Sequence, residues 1–447
     1  MRRRDLLAGL SLAATGLPAR AQAPAAETGR IRIVFWHAMS GALLDEVGRV
    51  ARAFNDSQSR YVVDPVFKGG YVDALISAVA ASRAGQPPHI LQVYEVGTGT
   101  MVYAGPAIKP AWQLFQETGV AVDPATYIPA VRGYYSLPDG RLASMPFNSS
   151  TAMMWLNRDA FERAGLDADH PPATWQAVLQ ASQVIKAKGA AEFAFTGTGT
   201  SWTHFEQYSA IHDLPFATLA NGFDGLGAEL RINSPAHVKH LQWLIDAQSA
   251  GLFKYNGRDR VGDPTFPAGR AAMTFGSSGN RGTYSQSAKF PWVEAMLPYD
   301  PEVIARPINS IIGGASLWTL TAPGRTAEEY RGVAEFLTSL AAPEMDALWH
   351  ERTGYVPITF AGYDRVRQDG YYQRNPGADL PIRQLSRGTV TPNSRGFRLG
   401  RMPEVRDILE EEVEGALQGR QGAQQALDNA VNRGNVVLRQ FQRSARA

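Results

Sequence analysis

Beyond residue 30 the apolar positions alternate between short β-rich runs and helical periodicity. Residues 31–36 read as a strand. Leu43, Val47, Val50, Ala51 and Phe54 follow at i, i+4, i+7, i+8 and i+11, which is one face of a helix. Residues 61–67 read as a second strand, put at an edge or a bend by Pro65, which has no N–H to give to a ladder. Leu75, Ala78, Val79 and Ser82 mark the next helix, and residues 89–94 a third strand. A βαβαβ run of this kind builds a parallel sheet covered by helices, with ligands bound beyond the carboxyl ends of the strands.

The alternation then repeats. Residues 153–156 predict a strand, and residues 175–188 a helix stopped at Gly189. Ser234 and Pro235 open a helix whose expected core face is Val238, Leu241 and Ile245, with Gly251 as its stop. His237 and His240 on that helix have no third ligand in a metal pattern and read as a solvated face. Thr326 with Glu329 forms a capping box before a helix carrying Val333, Phe336, Leu337 and Leu340. A helix is expected to end at Gly269, before a buried strand at 271–275. The Gly276-Ser277-Ser278-Gly279 that follows is either an ordinary turn or a set of N–H and hydroxyl donors for an anion. Two further helices start at Pro403 and after Gln421.

At 447 residues the chain exceeds what one core supports, so two lobes are expected. Hydrophobic residues are 44% and charged residues 19%, the balance of a globular protein. Arg2, Arg3 and Arg4 before the apolar run 6–17 read as an export signal over residues 1–25, of the general or the twin-arginine route, cut after Ala21 or a few residues later. Four Arg and one Asp in residues 1–23 carry +3 of the chain's net +2, which leaves −1 for the rest. The basicity thus makes no case for nucleic acid or anionic membranes. There is no cysteine, which excludes disulfides, thiolate metal sites and a lipid anchor. A soluble, unlipidated periplasmic protein is expected.

Several segments resemble a known family. Phe266-Pro267-Ala268-Gly269-Arg270-Ala271-Ala272-Met273, with Trp349-His350 and Thr353-Gly354-Tyr355 before Pro357, resembles bacterial extracellular solute-binding proteins of the maltose-binding type. Phe35-Trp36-His37, residues 90–98 (ILQVYEVGT), 146–151 (PFNSST), 311–318 (IIGGASLW), 375–379 (NPGAD) and 399–406 (LGRMPEVR) are similar, in order, to sn-glycerol-3-phosphate-binding proteins of ABC importers. The resemblance implies an α/β periplasmic binding protein fold of two lobes, each a mixed sheet flanked by helices, joined by a hinge with several chain crossings. The lobes would comprise 26–148 with 273–341 and 149–272 with 342–447, the crossings falling near 148–151, Met273 and Ala341. It also implies a monomer without cofactor or metal. The monomer would serve transmembrane permease subunits and their cytoplasmic ATPase, and would bind no nucleic acid.

Carried over by motif, the ligand-binding positions are Tyr71, Glu95, Ser150, Ser277, Gly314, Tyr355 and Arg406. Arg406, expected in the first turn of the helix opened by Pro403, would meet the phosphate together with the helix terminus. Glu95 would repel a phosphate and so should face the glycerol hydroxyls. Ser150, Ser277, Tyr71 and Tyr355 supply hydroxyl donors, and Gly314 allows close backbone approach. Family members carry a further Trp a few residues before the one kept here as Trp202, near the position of Gly199. Its loss would widen the cleft, leaving both sn-glycerol 3-phosphate and glycerophosphodiesters open as ligands. Trp202 is either a cleft wall or core, and His37 either touches ligand or caps local backbone. No Gly-x-Ser-x-Gly elbow or Gly-x-x-x-x-Gly-Lys loop occurs, and Gly97-Thr98-Gly99 lacks the third glycine of a dinucleotide fingerprint. The expectation is a binding protein and not an enzyme. The rival is a periplasmic glycerophosphodiester hydrolase, which would need carboxylates or histidines clustered around a metal.

Overall fold

The computed structural model describes residues 29–446, so the export signal expected over 1–25 lies outside the described residues. The first strands fall where the alternation puts them. β1 (Ile31–His37), β2 (Tyr61–Phe67) and β3 (Ile90–Tyr94) are joined by helices Ala42–Ser57 and Tyr71–Arg83. β1 pairs in parallel with both other strands, and β2, with its Pro65, is the sheet edge. Helix Ala42–Ser57 buries the five residues of the expected stripe. Helix Tyr71–Arg83 departs from its stripe: it buries Ala74 and Ala78, while Val79 is 45% exposed. The small alanine face is what lets it lie close to β3.

β4 (Ile108–Lys109) and β5 (Met145–Ser150) come next. They are followed by β6 (Ala152–Asn157), β7 (Phe193–Gly197), β8 (Phe253–Lys254), β9 (Ala271–Ser277), β10 (Trp292–Ala295) and β11 (Gly313–Leu320). The first sheet has the order β2-β1-β3-β11-β4, with β5 also on β11; the second has the order β10-β6-β9-β7-β8. Both are mixed, because β11 runs antiparallel to β3, β4 and β5, and β6 antiparallel to β9 and β10. Helices flank each sheet. Among the described residues no helix is long and apolar enough to cross a membrane.

The chain passes from the first sheet to the second at Thr151, between β5 and β6, within the expected 148–151. Thr151 Oγ1 also donates to the Ile311 carbonyl at 2.9 Å, which ties the outgoing strand to the segment that leads back into β11. The return lies between β10 and β11 and not near Met273, which pairs with Leu156 and Phe195 in the second sheet. A strand as apolar as 271–275 needs a neighbour on each side, and β6 and β7 provide them. Ala341 is no crossing either. Helix Pro343–Thr353 after it packs on Ala42–Ser57 and Ala327–Leu340, sharing their core through Trp349. The chain is back beside the second sheet by Gln384, whose Nε2 donates to the Ala152 carbonyl.

The capping box closes as expected, Thr326 N donating to Glu329 and Glu329 N to Thr326 Oγ1. The helix expected to end at Gly269 is only a 3-10 turn, Asp263–Thr265, followed by turns. Helix Pro235–Ser249 overturns the solvated histidine face: His237 and His240 are buried with Leu241, Leu244 and Ala247, whereas Val238 and Ile245 are only packed at the margin. Tyr208, Trp175 and Trp243 close over the His240 ring, and Ser234 Oγ meets His237 Nδ1 instead of capping the backbone. The last helices, Met402–Leu417 and Ala423–Arg446, pack on each other and on Pro235–Ser249.

Candidate functional site

Residues from both sheets meet where the chain crosses. Tyr71 opens its helix just past β2 and stacks on Tyr94 at the end of β3, with centroids 5.2 Å apart and planes 2° apart. Its Oη accepts a hydrogen bond from Asn148 Nδ2 at 2.9 Å, and Asn148 Oδ1 accepts one from Gln92 Nε2 at 2.8 Å. Burial, reinforced by Tyr355, pushes the Tyr71 phenol well above its ordinary value, so it keeps its proton and remains a donor.

Gly314 has φ +82°, and a Cβ there would stand 1.9 Å from the Asn148 carbonyl oxygen. Only glycine allows β11 to close on β5 at this point. Gly314→Ala is therefore expected to cost well over ~1 kcal/mol of stability and to disturb Asn148 and Tyr71 with it. Chemical denaturation measures this, and a variant as stable as its parent would show that the close approach is dispensable. Ser150 is buried at the end of β5 opposite Gly313. A Cβ on Gly313 would fall 2.3 Å from the Trp202 ring, so Trp202 lies directly against β11. Its Nε1 is buried without a hydrogen-bond partner among the described residues.

Ser277 ends β9, its Oγ accepting the Gly279 N–H at 3.1 Å. Gly279 in turn abuts Tyr355, where a Cβ would come within 2.7 Å of the ring. Tyr355 is buried, its hydroxyl directed at Met39 Sδ, 4.0 Å away. His37 is buried as well, with Nδ1 accepting the Met39 N–H at 3.3 Å and its ring beside Phe35 and Phe67. It caps local backbone, and it shares no hydrogen bond with the other candidates among the described residues. An open cavity of about 410 Å³ beside Trp112, Phe115 and Arg141 includes none of these residues.

Arg406 differs from its expected role. Its helix begins at Met402, so Arg406 stands in the second turn, beyond the free N–H groups of the terminus. The guanidinium forks onto Glu206, Nε to Oε1 at 2.6 Å and Nη2 to Oε2 at 2.7 Å, and Nη2 also donates to Glu95 Oε1 at 2.6 Å. The side chains of Arg406, Glu95 and Glu206 are 15%, 6% and 0% exposed. Burial opposes the charge on Arg406, but the two carboxylates outweigh it and hold the guanidinium well above its ordinary value. Burial also pushes the Glu95 carboxyl up, with Arg406 opposing and Glu206 adding to the push.

One cation is shared between two carboxyl groups. Arg406 is thus already paired through its Nε and Nη2. Its Nη1 and Glu95 Oε2 have no side-chain partner among the described residues, and so present a donor beside an acceptor. Glu206 escaped the sequence reading. No local signal marks it, because its burial and its cation, 200 residues away, are both supplied by the tertiary structure.

The sheets, the crossing and this site belong to one class of protein: the chain is a member of the bacterial extracellular solute-binding protein family, whose sequence profile matches residues 50–377. Among its relatives, the sn-glycerol-3-phosphate-binding periplasmic protein UgpB of Salmonella typhimurium is 44% identical over 98% of this chain and 97% of its own length. The UgpB of Escherichia coli is also 44% identical, covering 98% of both chains. In three dimensions the chain is similar to UgpB from Mycobacterium tuberculosis in complex with glycerophosphocholine, with a TM-score of 0.77 and 20% identity over 92% of this chain and 98% of that one. It is also similar to maltose-bound MalE3 of T. maritima, with a TM-score of 0.71 and 16% identity over 91% and 100%. The structural likenesses establish the two-lobed fold.

Proposed function

We propose that this chain is the periplasmic binding component of an ABC importer. It would capture sn-glycerol 3-phosphate and glycerophosphodiesters as a monomer and pass them, chemically intact, to the permease subunits and their cytoplasmic ATPase. The observation that carries this reading is the Glu95–Arg406 pair beside Tyr71 and Gly314. A donor next to an acceptor fits a glycerol hydroxyl, which gives one hydrogen bond and takes another. Ser150, Ser277, Tyr71 and Tyr355 would then serve the phosphate end, and Trp202 the cleft wall. The relatives' names support the same ligand class. A binder is favoured over a hydrolase because the family is one of solute-binding proteins and the relatives carry the name of binding proteins.

Calorimetry of the mature protein against sn-glycerol 3-phosphate, glycerophosphocholine, inorganic phosphate and maltose tests the reading. The first two should bind, one per chain, and the last two should not. Phosphorus NMR should show both ligands unchanged after incubation with Mg²⁺, Ca²⁺ or Zn²⁺. Maltose binding without glycerol 3-phosphate binding, or turnover that follows the protein through purification, would sink it.

A further inference from the structure

With Arg406 paired to Glu95 and Glu206, a second cation would serve the dianionic end of the ligand. We propose that Arg260, in the loop between β8 and β9, is the cationic contact for the ligand's phosphate; this rests on the function proposed above. Several cations near the candidates or the loop are already engaged. Lys68 lies over the Trp36 ring, 3.9 Å from its centroid, and Arg281 is buried against Glu294. Arg258, two residues before Arg260, is forked onto Glu414. Arg260 instead has a side chain 50% exposed, and only its Nε is paired, with Asp263 at 2.7 Å.

The loop sits at the ligand end of the second sheet and is firmly held there. The Asp259 carbonyl accepts the Gly199 N–H at 2.8 Å, and Asp263 N donates to the Arg260 carbonyl at 3.0 Å. A Cβ on Gly262 would stand 3.0 Å from the Gly197 carbonyl oxygen and 3.3 Å from the Thr198 methyl. Thr198 is also the neighbour of Gly276, whose Cβ would be 3.0 Å from Thr198 Oγ1, and Gly276 is followed by Ser277. The loop and the Ser277 donor are thus braced against the same residue. Asp263 outweighs the effect of burial on the Arg260 guanidinium and holds it above its ordinary value, with Tyr355 and Tyr71 within range of its charge. For an anion held among Ser277, Tyr355 and Tyr71, Arg260 offers a guanidinium whose Nη1 and Nη2 have no partner among the described residues. Because the guanidinium is half in water, its contribution should be moderate and sensitive to salt.

The test is calorimetry with sn-glycerol 3-phosphate on the full mature protein, R260A and R260K, at about 50 and 300 mM salt, with melting curves for each. R260A should melt with its parent and bind roughly tenfold more weakly or worse at low salt. It should also lose most of the parent's salt dependence, and R260K should recover much of both. If R260A binds as tightly as its parent at both salt concentrations, the phosphate is held without Arg260 and the assignment falls. If the unaltered protein binds no phosphorylated glycerol at all, the proposed ligand class falls, and this inference with it.

Discussion

Arg406→Ala is expected to lower the stability of the protein sharply, in addition to weakening ligand binding. The substitution leaves Glu95 and Glu206, one nearly and one wholly buried, without the cation they share. Breaking a buried ion pair from one side typically costs about 3–5 kcal/mol, because the abandoned charge has lost its water and gains nothing in return. The loss should depend on pH. Without the guanidinium, burial drives the Glu95 carboxyl to take up a proton in the folded state at a pH where the unfolded chain still releases it. Protonation then favours folding, so the deficit is widest above neutral pH and narrows as pH falls towards the unfolded carboxylate range. Denaturation of parent and variant at pH 8 and pH 5.5 would measure both effects. Adding Glu206→Gln to Arg406→Ala should restore part of the stability, since it removes one of the stranded charges. A variant as stable as its parent at both pH values would mean that the cluster contributes nothing to folding and that Arg406 serves the ligand alone.

Acid should be the second large effect, through histidines of the second lobe. His204 Nδ1 lies 3.2 Å from His240 Nε2, so one nitrogen must donate and the other accept. His212 donates from Nδ1 to the Tyr208 carbonyl and accepts the Asp300 N–H at Nε2, which fixes it as the neutral form. His237 bridges Ser209 and Ser234. Burial lowers His204 and His237 to about 3 and His212 to about 4, with Asp300 opposing at His212. It lowers His240 well below its ordinary value, helped by His204, His212, His237 and Lys239.

These groups carry no penalty above the unfolded value of about 6.5. Below it the unfolded chain takes protons that the fold refuses, and each histidine removes about 1.4 kcal/mol of stability per pH unit until its folded value is reached. Glu294 and Glu410, pushed by burial up to about 7, and Asp346, up to about 6, act in the opposite sense and offset part of the loss. His240→Gln isolates the histidine contribution. Between pH 6.5 and 4.5 its unfolding free energy should fall less steeply than the parent's, by about 1.4 kcal/mol per pH unit. Parallel pH profiles for the two proteins would show that His240 titrates in the fold as it does in water.

What the sequence determined by itself was whatever depends on residues close together along the chain. The stripe from Leu43 to Phe54, the edge position of the strand with Pro65 and the Thr326–Glu329 box follow from period, proline chemistry and cap chemistry, whereas the crossing near Thr151 was implied by the family resemblance. The family resemblance, too, was carried by short contiguous segments. Only the tertiary structure decided what each polar group faces. Arg406 meets Glu206 across 200 residues and Glu95 across 311, and no local pattern reports such a meeting. His237 and His240 read as solvated because a polar side chain is placed in water unless a partner is known. Their partners, Ser209 and the ring of Tyr208, sit on another helix. The chain's return to the first sheet was displaced for a related reason: an apolar strand states that it is buried, but not between which neighbours. Burying a polar group or a strand is favourable only when distant chain supplies its hydrogen bonds, and that supply exists only once the two sheets and their helices have come together.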